Sequence, residues 1–380
     1  MPQHLFGRSS VRVAAFLAAA LLPSALHPLY AQRQPNPFNF NPPGARSTAM
    51  GGAFVGLADD ATAAATNPAG LTTLLYPEVS FEFKTVEYTW NFFEEGATVN
   101  QVNMPSFASL VVPVGNLRLA AFRSEVVHLK VADTATESDP ELGEFTVDFS
   151  EVFKVEDYGA GLALRAAPAV ALGVAAGAAR FSEVGHFSAF GETESWEGEN
   201  FKPFASAGVL LRAGTQVTVG AAYHFRPTFE IEEEDPTVDP EEIPIPDSFG
   251  AGLSFRPRER LTLAASFTLN RYSELDTDDD DEFAFDDGVD AHVGGEYVLF
   301  LGATPLALRA GVQRVASSAE FYEGSDPDLQ EDFPEEDPQI GAGLGFGVVL
   351  GSRFQVDVAG AATESRTEGV ISLVYRFGRH

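Results

Sequence analysis

The segment Arg260 to Asn270, RLTLAASFTLN, decides the fold class of this chain. Its leucines and its phenylalanine fall on every second residue, and threonine, serine and asparagine lie between them. A period of two is typical of a β-strand, and the length matches the roughly 9 to 11 residues with which a tilted strand crosses a bilayer. The same alternation recurs at 217–225, 306–312 and 371–377. We therefore predict a membrane-spanning sheet.

The chain carries fourteen such segments after Tyr76. Their connections alternate between tight turns, such as Ala213 to Gly214, and mostly long loops, such as Ile231 to Pro246. Short turns on one side and long loops on the other are typical of a bacterial outer-membrane barrel with periplasmic turns. We predict an all-β fold: a transmembrane antiparallel up-and-down β-barrel of about 14 strands over residues 77–380. The predicted strands are 77–90, 104–112, 117–130, 146–165, 169–183, 201–212, 215–230, 247–256, 260–273, 287–301, 304–317, 338–349, 353–364 and 368–377.

The amino terminus has the organisation of a secretory signal peptide. Arg8 and Arg12 are positive, the stretch from Val13 to Leu22 is apolar, and Pro23 follows it. A membrane anchor is the alternative, but this stretch is far shorter than the ~20 residues of a spanning helix. We predict a signal peptide over residues 1–31, cleaved after Ala31, and export to the bacterial outer membrane.

Composition excludes several classes of protein. There is no cysteine, and therefore no disulfide framework, thiolate metal site or cysteine nucleophile. The formal net charge of −31 argues against a nucleic-acid partner, because phosphate backbones attract clustered Lys and Arg. A hydrophobic content of 45% with 32 phenylalanines argues against disorder. Aromatic side chains on this scale are either buried or in contact with lipid.

The segment Gly44 to Leu71, GARSTAMGGAFVGLADDATAAATNPAGL, precedes the barrel and is rich in glycine and alanine. Asp59 or Asp60 is suited to cap a short helix over 61–65, and Asn67 before Pro68 is suited to end it. Small residues allow close packing against a barrel wall. We predict that residues 32–76 form a hatch inside the lumen.

This segment resembles the amino-terminal hatch of the FadL/TodX family of outer-membrane channels for long-chain fatty acids and other hydrophobic compounds. The resemblance implies a monomeric channel for passive uptake, gated by the hatch. In that family the Asn-Pro-Ala triplet lies beside a kinked third strand that opens a lateral exit into the membrane. The hatch or gating residues implied by the resemblance are Gly44, Gly51, Gly52, Asp59, Asp60, Asn67, Pro68, Ala69 and Gly70.

Three alternatives stay open at this point. The hatch segment could be a structural inner lid with no gating role. The chain also resembles the PorV-type branch of the same superfamily, whose members are shuttle or scaffold proteins of a secretion system. A general porin-like barrel is the third alternative, and the predicted plug argues against it.

Two features bear on the ligand and its exit. By strand parity Lys84, Arg226 and Arg309 point into the lumen, where each is either a ligand contact for a carboxylate or a member of an ordinary ion pair. The third predicted strand, 117–130, has no glycine or proline, but its alternation breaks at 122–124, as a bulge would cause. A lateral opening there is a hypothesis.

No catalytic residue, metal site or cofactor is predicted. His128, His186, His224 and His292 lie in no nucleophile signature. The glycines of GAGLGFG from Gly341 alternate along a strand and do not form a dinucleotide loop.

The long loops are acidic at 232–235, 276–282 and 326–337. They are either solvated or bridged by divalent cations to lipopolysaccharide phosphates, or they hold calcium. The run DTDDDD from Asp276 matches a calcium loop poorly, because Asp281 stands where an EF-hand needs glycine. Besides a hydrophobic small molecule, the expected partners are outer-membrane lipid, lipopolysaccharide and the barrel assembly machinery. Tyr375 and Phe377 are typical of the last strand that this machinery recognises.

Overall fold

The computed structural model of the protein describes residues 38, 40–90, 98–139, 143–190, 192–231, 240–276 and 282–378. The predicted signal peptide and the acidic loop residues 232–235 and 277–281 lie outside these ranges. The strands are β1 (Glu78–Trp90), β2 (Thr98–Val114), β3 (Leu117–Asp139), β4 (Gly143–Ala167), β5 (Val170–Ala189), β6 (Glu192–Ala213), β7 (Val217–Phe225), β8 (Thr228–Ile231), β9 (Glu241–Pro244), β10 (Ser248–Arg258), β11 (Leu261–Asn270), β12 (Phe283–Ala284), β13 (Gly288–Leu301), β14 (Thr304–Val315), β15 (Phe321–Tyr322), β16 (Gln339–Leu350), β17 (Phe354–Ala362) and β18 (Arg366–Arg376). The α-helices are α1 (Ala45–Ala49), α2 (Ala63–Thr66) and α3 (Pro327–Asp332), and 3₁₀ helices span Pro68–Thr73 and Tyr272–Leu275.

Fourteen antiparallel strands close a barrel, which confirms the predicted fold class and strand number. The order is sequential around the wall: β1 to β7, β10, β11, β13, β14, β16, β17 and β18, which returns to β1. The closing pair runs from Glu78 opposite Arg376 to Tyr88 opposite Arg366. Closure gives every wall strand a neighbour on both sides, as a lipid-facing sheet requires, although β2 pairs with β3, and β6 with β7, over only part of their lengths.

The predicted inside and outside faces are confirmed. On β11 Leu263 and Phe267 are exposed on the outer surface, whereas Thr262, Ser266 and Asn270 are buried in the lumen. On β1 Phe83 is 43% exposed and the adjacent Lys84 only 7%. The outer face is thus an apolar band for lipid. Within the described ranges, no helix is long and apolar enough to cross a membrane.

Strands β3 to β6 are longer than predicted and form a tall section of the wall. The third predicted strand was expected to end at residue 130, but β3 continues to Asp139 and pairs with β4 over its whole length. Likewise β6 begins at Glu192 rather than residue 201. On the upper part of β6 the exposed residues include Thr193, Ser195, Glu197 and Glu199, which suit a surface in water rather than in lipid. The lipid-face alternation therefore stops before the hydrogen-bonded ladder does.

The predicted strand 215–230 is wrong in its second half. Strand β7 ends at Phe225, and Pro227, which has no N–H for the ladder, follows it. The next strand, β8, leaves the barrel wall and pairs with β9 in a separate hairpin. Phe229 of β8 and Ile243 of β9 are fully buried in the apolar core. The hairpin therefore packs inside the barrel opening.

The hatch lies in the lumen, and its helix is shorter than predicted. The expected helix over 61–65 is observed as α2, Ala63–Thr66. Asp60 Oδ1 accepts a hydrogen bond from the Thr62 backbone N–H at 3.0 Å, so the aspartate closes the turn before the helix. Asn67 has an extended backbone and ends α2 before Pro68, as predicted.

Glycines on the inner face of the wall form the seat of the hatch. A Cβ atom added to Gly173 on β5 would lie 2.2 Å from the Ala69 nitrogen, and one on Gly311 on β14 would lie 2.1 Å from the Met50 carbonyl carbon. Because glycine has no Cβ, the backbones of hatch and wall touch directly. The other wall glycines that meet hatch backbone are Gly220, Gly252, Gly294 and Gly343, and Gly208 and Gly345 lie against the hatch side chains of Asn67 and Ala49.

We expect Gly173→Ala to displace the 3₁₀ helix Pro68–Thr73 from the wall, because the new Cβ would clash with hatch backbone. Overpacking of this kind costs about 1–3 kcal/mol. Thermolysin digestion of the folded barrel should cleave the hatch faster in this variant than in wild type. Gly360→Ala is the matched control, since its Cβ would meet only the Glu368 carbonyl oxygen at 3.7 Å. Equal cleavage rates in the two variants would contradict the role of this seat.

Candidate functional site

Hydrogen bonds from wall side chains hold the hatch backbone. His292 on β13 donates through Nδ1 to the Gly51 carbonyl oxygen at 2.7 Å, and His224 on β7 donates through Nε2 to the Thr66 carbonyl oxygen at 3.0 Å. At the start of α1 the Ala45 N–H donates to Ser372 Oγ at 2.8 Å. These contacts attach the hatch to opposite parts of the wall.

Arg46 is the centre of an ion-pair network between hatch and wall. It contacts Asp59 within the hatch, and its Nε and Nη2 donate to Glu296 on β13 at 2.9 and 3.0 Å. Glu296 also accepts from Arg309 Nε at 2.7 Å, and Arg309 Nη1 donates to Asp357 at 2.6 Å. The Arg309 and Asp357 side chains are each only 4% exposed. The network therefore fixes α1 against β13, β14 and β17.

Burial and charge act in opposite directions on the hatch groups, which lie outside the membrane-spanning strands. Burial alone would lower the pKa of Arg46, but the carboxylates of Asp59 and Glu296 outweigh it and hold that pKa well above its ordinary value. Burial raises the pKa of Asp60, against the effects of Arg46 and Thr62. Arg46 lies within the segment that the sequence analysis examined, but it was not singled out there.

Asn67 joins three parts of the structure through its side chain. Its Oδ1 accepts from the Ala69 N–H at 3.2 Å, which caps the 3₁₀ helix that begins at Pro68. Its Nδ2 donates to the Val55 carbonyl oxygen at 3.0 Å and to the Val209 carbonyl oxygen of β6 at 3.3 Å. This explains why an Asn-Pro-Ala triplet suits the hatch.

The remaining predicted hatch residues are all in the plug. Gly44, Gly51 and Gly52 have φ values of 110°, 62° and 81°, which favour glycine. Gly70 packs against Ala58, where a Cβ would lie 2.0 Å from the Ala58 carbonyl oxygen. Asp59 also lies 3.7 Å from Arg256 Nη2. These contacts explain structure, and the gating role of these residues stays a prediction.

The wall has a gap between β2 and β3. Their pairing runs from Val114 opposite Leu117 to Phe107 opposite Ser124 and, among the described residues, goes no further. Above this point residues 98–105 of β2 pair with β1, and residues 125 and 127–139 of β3 pair with β4. A bulge between Glu125 and Val127 bends β3, close to the predicted position at 122–124. The hypothesis of a lateral opening has a geometric basis here.

Three contacts replace strand pairing at the gap. Tyr88 Oη donates to the His128 carbonyl oxygen at 3.2 Å, and Phe38 forms a backbone bridge with Val127. Tyr88 is a lumen residue, so β3 bends inward. On the other edge the Arg123 guanidinium donates to the Pro105 carbonyl oxygen. Pro105 lacks an N–H, which is the sequence signal for the gap that the analysis of the third strand missed.

A continuous apolar core leads from the hatch to this gap. It contains Leu71 of the hatch, Phe107 of β2, Phe122 and Val126 of β3, and Phe204 of β6. It then continues upward through ring contacts of Phe153 with Phe181 at 5.0 Å and of Phe181 with Phe229 at 5.4 Å.

Below the gap, Phe122 borders both the inner apolar core and the outer surface. Phe122 and Phe204 meet there edge to face at 6.2 Å. Phe122 also lines an open concavity of about 700 Å³ on the outer surface, together with Leu110 and Tyr158. Gly159 leaves room for both rings, since a Cβ there would lie 2.8 Å from each. The apolar core therefore reaches the lipid-facing side at Phe122.

The three predicted ligand residues are inward-facing, as parity predicted, but they do not form one site. Lys84 is buried near the charges of Glu82 and Glu368. Arg309 belongs to the network under the hatch, which favours an anchoring role.

Arg226 lines a lumen cavity of about 60 Å³ next to the β3 bulge. Its Nη1 lies 2.5 Å from Asp157 Oδ2. The cavity is also lined by Ser124, Val126 and His224.

The structure also brings Ser150, His186 and Asp148 together on the outer face of the tall wall. His186 Nδ1 lies 2.8 Å from Ser150 Oγ, and His186 Nε2 lies 2.6 Å from Asp148 Oδ1. A hydrolase also needs oxyanion donors. Ser150 and Asp148 lie on β4 and His186 lies on β5. The backbone groups of these strands are paired with neighbouring strands of the sheet. The cluster therefore lacks the main-chain donors of a catalytic site in this part of the described structure.

The geometry defines a class: a closed membrane β-barrel with a plug from its own amino terminus and a gap in its wall. Among solved structures, a Pseudomonas aeruginosa FadL homologue matches 90% of this chain and 100% of its own length, with a TM-score of 0.64 at 14% identity. The Pseudomonas putida toluene transporter TodX matches 90% of this chain and 98% of its own, with a TM-score of 0.61 at 14% identity. The Ralstonia pickettii toluene transporter TbuX matches 90% and 100%, with a TM-score of 0.61 at 13% identity.

The chain therefore has the FadL-type fold, which confirms the resemblance at the level of architecture. No protein-family model matches the sequence, and no curated protein matches it.

We expect Arg46→Met to lower the free energy of unfolding by about 3–5 kcal/mol, because Glu296 and Asp59 then lose their shared buried cation and retain only Arg309 and the more distant Arg256. Guanidinium unfolding of the protein in micelles would measure this. The double variant Arg46→Met, Glu296→Gln should recover part of the loss. Arg180→Met breaks more exposed pairs with Glu199 and Glu156, of which Glu156 keeps Arg123, and it should cost less than about 1 kcal/mol. A loss no larger than that of Arg180→Met would show that the network does not hold the hatch.

Proposed function

We propose that this protein is an outer-membrane channel for the passive uptake of hydrophobic compounds, with a lateral exit between β2 and β3. The observation that carries the proposal is the gap above Phe107 and Ser124, which lies beside the apolar core. The hatch fills the axial route with tight backbone contacts. A molecule that enters from outside along apolar side chains therefore leaves most readily through the side of the wall.

The substrates of the similar structures support a hydrophobic cargo. Two of them are described as toluene transporters, a third is described as a monoaromatic hydrocarbon channel, and a fourth is a FadL homologue. We include long-chain fatty acids among the candidate cargoes of this chain. The hatch gates the route at its lower end in this proposal, because Leu71 and Ala61 belong to the same apolar core as Phe122.

The outer apolar band supports a location in the outer membrane, reached through the predicted signal peptide over residues 1–31. We propose a monomer, inserted by the barrel assembly machinery and surrounded by lipopolysaccharide. Transport in this scheme requires no enzyme activity and no cofactor.

The lateral route is testable with a reversible cross-link, because the chain has no native cysteine. Gln101→Cys and Lys130→Cys place one thiol on each released edge, and a reducible bis-thiosulfonate reagent would join them. In a host without its own channel, we expect the cross-link to reduce saturable uptake of radiolabelled oleate or toluene several-fold, and reduction to restore it. The control pair is Val293→Cys with Val312→Cys, which face each other on the outer surface of the paired strands β13 and β14, away from the gap and outside the hatch network.

Uptake that is unaffected by the cross-link would overturn the lateral exit. A correctly inserted barrel that takes up neither compound, and co-purifies with secreted proteins, would instead support the PorV-type scaffold. Deletion of residues 44–71 in inserted protein tests gating separately, since a gate predicts changed uptake and an inert lid predicts none.

A further inference from the structure

The ion pair of Arg226 with Asp157 is deeply buried in the lumen and only partly satisfied. The Arg226 side chain is 9% exposed and that of Asp157 is 3% exposed. Arg226 Nε and Asp157 Oδ1 have no hydrogen-bond partner among the described residues. An unsatisfied buried polar group costs roughly 1–3 kcal/mol, so a hydrogen bond from a water or a ligand would stabilise both atoms. The pair thus presents one free donor and one free acceptor.

Arg226 lines a lumen cavity, and Asp157 is held to it by the ion pair. The Arg226 guanidinium lies 5.7 Å from the Phe204 ring centroid. Phe204 in turn contacts Phe122 below the gap. Arg226, Ser124 and Val126 line the cavity of about 60 Å³. This space suits a small polar head group, with the apolar core beside it for a hydrocarbon tail.

The charges around the cavity disfavour an anion. Asp157 already neutralises Arg226, and Glu125 adds a second carboxylate to the cavity lining. Arg123 and His128, which lie near Glu125, do not line the cavity, and Arg123 also pairs with Glu156. A ligand carboxylate would meet like charge at Asp157 and would leave its Oδ1 without a donor. A neutral hydroxyl donates to a carboxylate oxygen and accepts from a guanidinium N–H.

We infer that the Arg226–Asp157 pair is a binding site for an uncharged hydroxyl group, and that the preferred ligands are apolar alcohols or phenols rather than carboxylates. This inference rests on the proposed uptake of hydrophobic compounds and narrows its substrate class. It assigns Arg226 a ligand contact different from the carboxylate contact that the sequence suggested.

The test is equilibrium binding of radiolabelled decan-1-ol, decanoate and decane to the full protein in phosphatidylcholine nanodiscs at pH 8, with empty nanodiscs subtracted. We expect decan-1-ol to bind at least about tenfold more tightly than decanoate, the effect of one well-formed hydrogen bond to a charged group. Decane should bind more weakly than decan-1-ol. Equal affinity for decanoate and decan-1-ol would overturn the hydroxyl site. Equal affinity for decane and decan-1-ol would also overturn it, and would indicate that only water binds to the pair.

Asp157→Asn provides the sharper arm, because it frees the positive charge of Arg226. We expect this variant to bind decanoate at least about tenfold more tightly than wild type and to lose the preference for the alcohol. Glu199→Gln is the matched control. It removes the exposed carboxylate that pairs with Arg180, and it should leave the preference for the alcohol unchanged. An unchanged ratio in Asp157→Asn would contradict the inference, and if that variant does not fold the wild-type comparison alone decides.

The outcomes separate this inference from the proposed function. If none of the three compounds binds, the proposed channel for hydrophobic compounds fails. If decane and decanoate bind saturably and decan-1-ol binds no better, the channel stands and the hydroxyl site fails.

Discussion

The structure depends on one constraint, namely that backbone N–H and C=O groups within a bilayer need partners inside the protein. Each unpaired group in hydrocarbon costs several kcal/mol, which is why a membrane sheet closes on itself. Here the closure is interrupted at β2 and β3, and substitutes occupy the released edges. Tyr88 and the backbone of Phe38 contact the backbone of β3. Arg123 donates a hydrogen bond to the Pro105 carbonyl oxygen of β2. The gap is therefore built into the wall rather than a loss of local order.

Two physical requirements, close packing and charge compensation, explain how the plug is held. Direct backbone contact requires glycine on the wall, and a buried carboxylate requires a cation nearby. Gly173 and Gly311 meet the first need. The alternation of Asp59, Arg46, Glu296, Arg309 and Asp357 meets the second. Because both kinds of contact are distributed around the lumen, the hatch has one well-defined position.

These two features together shape the interior. The plug occupies the axis, the gap opens the side, and the apolar core connects them through Phe122 and Val126. The Arg226–Asp157 pair lies beside this route and balances its own charge. The interior is thus suited to apolar molecules, and its polar groups act on the part of a ligand that can form hydrogen bonds.

The sequence predicts those features of the structure that depend on residues close together in the chain. The strand number, the membrane-facing side of each strand and the existence of a plug all arise from local patterns: period-two alternation, turn residues and a run of small residues. The inward orientation of Lys84, Arg226 and Arg309 follows from the same parity. The heights of β3 to β6 and the end of β7 do not, because hydrogen-bonded pairing continues beyond the lipid and Pro227 changes the pairing partner.

What the sequence by itself determined is therefore the barrel, its faces and its hatch, since bilayer thickness and side-chain alternation act within a single strand. Only the tertiary structure decided which residues meet across the lumen. Arg46 and Glu296 are 250 residues apart and become neighbours through closure and register. The position of the gap likewise depends on how Pro105 of one strand faces the bulge of the next. Arg226, which follows β7, and Asp157 of β4 form a pair because the folded barrel brings them together. No local sequence pattern predicts this contact.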